Sequence, residues 1–194
     1  WNNTTSNNTW DANASANFTG ATPGTFLSLD TVTFGDTGAG SLTLTGSLVP
    51  SAITVNSSLA YTFAGAGVIS GGTSLTKAGA GSLSISTNHS YLGATNINGG
   101  IITIATIASN GTNSPIGAGT DLTFNGGTLR YTGGSFGSDA GNKFDRAIQV
   151  GTSGGTIDIA GAGIVFASSV LTGSGTLSII DSSGDVNNRQ WLYS

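Results

Sequence analysis

A short motif recurs along this chain, and that recurrence limits the available folds more than any other feature. Gly-x-Gly, then Ser or Thr, then Leu-x-Leu/Ile occurs as GAGSLTL from Gly38, GAGSLSI from Gly79 and GSGTLSI from Gly173, with a variant, GAGTDLTF, from Gly117. A second set reads NGGIITI from Asn98, NGGTLRY from Asn125 and SGGTIDI from Ser153, with starts 27 and 28 residues apart. A steady period of about 20–50 residues marks stacked coils, each burying its apolar face against the next.

Inside each unit the apolar residues alternate with small polar ones. Leu83 and Ile85 share one strand face and Ser82, Ser84 and Ser86 the other, because side chains alternate with period two. The same spacing pairs Val32 with Phe34, Leu42 with Leu44, Ile53 with Val55 and Tyr61 with Phe63. Further runs follow at Leu122–Phe124, Leu129–Tyr131, Ile148–Val150, Ile157–Ile159, Ile164–Phe166 and Leu177–Ile179. No stretch sustains a 3.6-residue apolar period, so no substantial helix is expected. A sandwich would also supply many short strands, but not a repeat that holds its phase.

The expected fold is therefore all-β: a single-stranded parallel β-helix, or β-solenoid, of about 27 residues per coil. Crossovers between parallel strands are almost always right-handed, and that hand is expected here. Superposing the second set of repeats stacks Ile102, Leu129 and Ile157 inside, and likewise Ile104, Tyr131 and Ile159. Thr103, Arg130 and Asp158 then line up outside, about 4.8 Å per rung, with Arg130 and Asp158 as an exposed ion pair worth about 0–1 kcal/mol. The solenoid is expected over residues 31–181. Residues 1–30 form an N-terminal capping or assembly segment that lays Trp1, Trp10 and Phe18 over the first coil. Residues 182–194 form a C-terminal capping or assembly tail that brings Arg189, Trp191, Leu192 and Tyr193 together.

Composition enters where function is concerned. Charged residues are only 7% of the chain, against roughly 25% in ordinary globular proteins, and 32 residues are glycine. Many Ile, Val, Thr and Phe residues in alternating runs argue for order, since disordered chains are usually charged and poor in these types. The net charge is −4, with Lys77, Arg130, Lys143, Arg146 and Arg189 scattered. Nucleic-acid binding needs clustered cations and is excluded as an expectation. No apolar run approaches the roughly 20 residues that span a bilayer, no signal peptide is recognisable, and no membrane insertion is expected. There is no cysteine. Methionine is absent too, even at position 1, so the chain is read as a processed product or an excerpt of something longer.

The stretch LTKAGAGSLSISTNHSYLGATNINGGIITI, Leu75 to Ile104, resembles the autotransporter-associated β-strand repeat of bacterial passenger domains. Leu75, Thr76, Lys77, Gly79, Gly81, Leu83 and Ile85 stand at matching places, as do Tyr91, Gly93, Thr95, Ile97, Gly100 and Ile102. Leu92, Ala94 and His89 depart from the pattern. Asp145–Gly163 also resembles sequences that flank such repeats. The resemblance implies a secreted right-handed β-helix serving as a stalk or adhesive surface, and it implies no reaction.

Candidate chemistry is sparse. Pectate-lyase-like enzymes share the fold and cluster acidic groups with Arg or Lys along a groove, whereas the nine aspartates here are dispersed. Only Asp139 and Asp145 with Lys143 and Arg146 form a dense charged group, on a loop where a self-compensating turn is the simpler reading. His89, the single histidine, cannot belong to a multi-histidine zinc site and reads as a polar loop residue. Asp181, Asp185, Asn187 and Asn188 offer oxygen ligands of the kind calcium accepts, but without EF-hand spacing, and Asp and Asn are also turn formers. Asn-x-Ser/Thr triplets begin at Asn2, Asn3, Asn7, Asn13 and Asn17; they read as Asn/Thr-rich composition rather than glycosylation sites. Thr31/Thr33 and Thr43/Thr45 start an ordered hydroxyl array that later coils, with Ser, Arg and Asp, do not continue.

The expected function is that of a non-catalytic, extracellular or cell-surface bacterial structural protein, a stalk or head-to-tail fibre without cofactors. Self-association would run through the aromatic ends, Trp1, Trp10, Phe18, Arg189, Trp191, Leu192 and Tyr193, because open strand edges template pairing. An adhesin that binds glycans or matrix is the alternative, with Tyr91 and Tyr131 as candidate exposed aromatics, although the alternation places Tyr131 inside. A carbohydrate-active enzyme comes third, and requires the aspartates to converge on one face.

Overall fold

The computed structural model describes residues 1–20, 23–134, 144–161 and 165–183, with 191–193; residues 165–167 and 191–193 are described by their backbone. Asp139, Lys143, Ile164, Asp185, Asn187, Asn188 and Arg189 lie outside the described residues.

The alternating runs become short strands, in chain order. β1 (Thr9–Trp10) precedes the first coil, which holds β2 (Thr31–Phe34), β3 (Gly40–Leu44) and β4 (Ser47–Leu48). The next holds β5 (Ala52–Asn56), β6 (Tyr61–Gly65) and β7 (Val68–Ile69). Then come β8 (Ser74–Ala78) with β9 (Ser82–Ile85), β10 (Thr95–Ile97) with β11 (Ile101–Ile104), and β12 (Asp121–Phe124) with β13 (Thr128–Tyr131). The last two coils hold β14 (Ala147–Val150), β15 (Gly155–Ile159) and β16 (Val165–Ala167), then β17 (Leu171–Gly173), β18 (Leu177–Ile180) and β19 (Trp191–Tyr193). Among the described residues there is no helix.

These strands stack into two long parallel sheets. One runs β1-β3-β6-β9-β11-β13-β15-β18, and the other runs β17-β14-β12-β10-β8-β5-β2. The third side of the coil is made of turns and the short pairs β4–β7 and β16–β19. The chain is a β-solenoid of about six turns.

The register matches the alternation. Ile102 pairs with Leu129 and Leu129 with Ile157, while Ile104, Tyr131 and Ile159 form the next inner column. All six are at least 96% buried. The coil length, however, differs from the 27 residues expected. Coils stand roughly 22 residues apart, as from Ile53 to Leu75. The 27- and 28-residue spacings are genuine, from Ile102 to Leu129 to Ile157, but they belong to the two coils that carry inserted loops after β11 and β13.

Residues 1–20 and 23–26 close one end. Trp10 extends the first sheet by pairing with Leu44, and its ring lies 5.2 Å from Phe34, 5.5 Å from Phe26 and 5.9 Å from Phe63. Trp1 stacks edge-on against Phe18 at 5.2 Å. Aromatic edge contacts of this kind add about 0.5–1.5 kcal/mol each beyond the area they bury.

Close stacking of coils dictates where glycine must stand. A Cβ on Gly81 would sit 2.1 Å from the carbonyl oxygen of Leu59 in the coil below, and that oxygen belongs to backbone that cannot step aside. Gly79 adds a positive φ of 67° and a Cβ position 2.5 Å from Ser57 O. The Gly-x-Gly motif is thus a corner where two coils touch through their main chains. Gly81→Ala should destabilise the protein by about 1–3 kcal/mol. Gly72→Ala, at a corner open to solvent, should stay within about 0.5 kcal/mol. Urea denaturation of the two variants checks the difference.

Candidate functional site

The ionisable side chains singled out in the sequence do not converge. Among the described residues, no group of three His, Cys, Asp or Glu side chains is placed to hold a metal ion. Asp181 accepts hydrogen bonds from Ser183 N–H and Oγ at 2.9 and 2.7 Å, a local turn.

Three cationic or titratable groups are instead spent inside the coil. Lys77 falls on an inner column between Val55 and Ile97, both apolar. It is fully buried, and its Nζ donates to Gly79 O at 2.9 Å and also to Ala78 O. Burial without a carboxylate partner lowers its pKa. Arg146 is 1% exposed and donates to Ser114 Oγ, Gly117 O and Gly119 O, tying the loop after β11 to the coil above. Asp145, its neighbour in sequence, accepts from Asn110 N–H. Of the expected charged loop, these two residues are described, and both fasten backbone.

His89 corrects the expectation of a polar loop residue: it is fully buried. Ile69 N–H donates to its Nδ1 at 3.2 Å, which leaves the ring proton on Nε2, 3.4 Å from Thr87 Oγ1. Burial pushes its pKa down to about 4.

The Arg130–Asp158 pair has the expected register, with Arg130 Nε 2.8 Å from Asp158 Oδ2. It is not an exposed pair. The Asp158 side chain is fully covered, because Ser182 folds over it and donates its N–H and Oγ at 3.0 and 2.8 Å. Arg130 remains 37% exposed.

The aromatics are likewise inside. Tyr91 is fully buried and shares a 2.8 Å hydrogen bond with Thr95 Oγ1, and Tyr131 is 4% exposed with its hydroxyl on Gly134 O. Neither is the exposed glycan platform considered above. Trp1 and Trp10 are buried within the chain itself and Phe18 is partly buried there. Trp191, Leu192 and Tyr193 form β19, which pairs with β16 of the same chain.

The Asn-rich start is more than composition. Asn17 is fully buried and its side chain is saturated: it accepts from Thr5 N–H and Oγ1 and donates to Asn7 Oδ1 and Thr9 O. Its carbonyl also accepts from the N–H groups of Asn2 and Asn3. One amide thus knots the capping segment, and no local pattern distinguishes it from its exposed neighbours.

What remains outside is a polar, nearly uncharged face. The Thr31/Thr33 and Thr43/Thr45 pairs, considered above as the start of an array and set aside, do not form one surface, since β2 and β3 lie in different sheets. From Thr33, however, a ladder runs the full height of the seven-stranded sheet: Thr33, Thr54, Thr76, Asn96, Thr123, Gln149 and Thr172. A trough of about 500 Å³ lies on this face, lined by Asn96, Asp121, Thr123, Ala147, Gln149 and Thr172 among others.

The fold and these surfaces define a β-solenoid with hydroxyl- and amide-bearing sides. Over 81 residues the chain is 40% identical to the Adhesin BmaC autotransporter of Brucella suis biovar 1 (strain 1330), an alignment covering 39% of this chain. It spans 2% of that protein's length. No family model matches the chain, and no solved structure matches it.

Two expected outcomes follow from these sites. Asn17→Ala strands several donors and acceptors of the cap and should cost about 1–3 kcal/mol. Trp fluorescence should shift to the red with it, because Trp1 and Trp10 belong to the cap that Asn17 holds together. For His89, the unfolded chain takes a proton near pH 6.5 and the folded chain only near 4. Between those values the unfolded state binds more protons, so stability falls as pH drops from 6.5 to about 4. His89→Asn should flatten that part of the urea-midpoint profile by one proton's worth and leave the profile above pH 7 unchanged.

Proposed function

We propose that this chain is a non-catalytic segment of a bacterial surface or secreted passenger, a β-solenoid that serves as part of an extracellular stalk or adhesive surface. The observation that carries the reading is the architecture itself: an uninterrupted stack of parallel coils whose sides present Thr, Ser, Asn and Gln. Such a stack sets side chains at a fixed spacing over a long distance, which suits holding or contacting a surface better than enclosing a substrate. The partial similarity to an autotransporter adhesin supports the same reading. The disposition of charge supports it as well. Lys77 and Arg146 are buried against backbone and Arg130 is held by Asp158, so no described group of cations is left to gather a polyanion or activate a nucleophile.

The test is made on intact producing bacteria, with an antibody raised against this segment. Labelling without permeabilisation, removed by external protease while a cytoplasmic marker persists, is the expected result. Labelling seen only after permeabilisation would overturn the reading.

A further inference from the structure

We propose that the outer face of the seven-stranded sheet is a binding track for an extended, uncharged polysaccharide strand. This deepens the surface reading above and rests on it.

Four observations select this ligand class. The first is periodicity. Seven hydrogen-bonding side chains, from Thr33 to Thr172, stand in one column with one residue per coil. Neighbouring coils are about 4.8 Å apart. An extended polymer of hexoses rises by a similar distance per unit, so one rung can meet one sugar. The second is shape. Beside the ladder runs a second outward column, Thr31, Ala52 and Ser74, then Asp121 and Ala147, and over the later coils, from Ala94 to Thr172, the two columns border a trough.

The third is the chemistry of the trough's lining. Asp121 and Gln149 are exposed there, beside half-buried Asn96 and Thr123. A carboxylate accepts hydrogen bonds from two adjacent hydroxyls at once, and the amides both donate and accept, which is what a vicinal diol requires. The Asp121 carboxylate is oriented by Thr120 Oγ1 at 2.8 Å. The fourth is what the face lacks. Among the described residues no cation lines the trough, and the one charge on its lining, Asp121, is negative, so polyanions are repelled. No aromatic side chain among the described residues lines it either, and its two large apolar members, Leu122 and Ile148, are buried beneath the surface. An apolar peptide or lipid would find little to cover. Each contact is weak alone, so binding should strengthen with polymer length as rungs are engaged together.

The test is native electrophoresis of the full chain in gels cast with neutral polysaccharides (a mixed-linkage β-glucan, a galactomannan, dextran) or with hyaluronan or heparin. The expected result is retardation by at least one neutral polymer and by neither polyanion, with short oligosaccharides competing poorly. Asp121→Ala combined with Gln149→Ala should weaken retardation about tenfold. Ser84→Ala with Thr103→Val, on the outer face of the other sheet, should leave it unchanged, and circular dichroism confirms that both variants fold. Retardation by no neutral polymer, by polyanions, or equally for the Asp121/Gln149 variant overturns the track. Surface labelling of intact cells does not depend on these two residues. Lost polysaccharide binding with intact labelling therefore refutes the track alone, and absent labelling refutes the surface reading.

Discussion

The structure depends on one constraint: every coil must come within hydrogen-bonding distance of the next along two sheets at once. Parallel ladders join β2 to β5 to β8 on one side and β3 to β6 to β9 on the other. The corners between them must close to the same distance. At Gly81 the approach is so tight that its N–H donates to Ser57 O at 2.8 Å while its missing side chain makes room for Leu59 O. A chain under this constraint cannot place bulk at its corners, and a polar group left unpaired between coils costs it stability. Buried polar side chains survive only where the adjacent backbone offers partners. Lys77, Arg146, His89 and Asn17 all find partners in the main chain, with side chains such as Ser114, Thr87 and Thr5 beside them, while Arg146 Nε has none among the described residues.

This explains what could be read in the sequence and what could not. Inner and outer faces were legible because period-two alternation is a local signal, and the column from Ile102 to Ile157 needs only that alternation and a phase. The coil length was misjudged because Asn98, Asn125 and Ser153 flank the two inserted loops. The first set of repeats held the better measure: Gly38 and Gly79 are 41 residues apart, which spans two ordinary coils. The alternation that buries Leu75 also puts Lys77 inside, yet its burial was not read from the sequence, because its ammonium needs Gly79 and Gly99 carbonyls that no local motif announces. His89 and Asp158 were misread for a related reason. Their covers come from Ile69 and Ser182, 20 and 24 residues away in sequence.

The candidate surface was half legible. Thr31 and Thr33 were correctly set outside, yet the array was sought along the chain, from Thr33 to Thr43, whereas it runs across the coils from Thr33 to Thr54 to Thr76. In a solenoid the next residue of a surface lies one coil away, so a row of like side chains is scattered through the sequence at the coil spacing. Variable coil lengths then hide it from any search at a fixed period.

The same geometry separates the ends of this molecule from its sides. Exposed Leu171 and Ile179, 51% and 42% accessible, are not a patch set apart from the core. They continue the inner columns of Ile148 and Ile157 into the last described rungs of the two sheets, where nothing stacks above them within these sheets. Their apolar character is thus required by the column they belong to. The outward residues carry no such obligation. At Thr54, Thr76 and Thr123 a β-branched residue is favoured with or without a hydroxyl, and among the described residues the one partner of a hydroxyl in this set is Asn96 of the same ladder, which donates to Thr76 Oγ1 at 3.4 Å. A side face that is polar at every rung of its ladder, beside a core that accepts Lys77 and Arg146, shows where side-chain identity is free to serve something outside the fold.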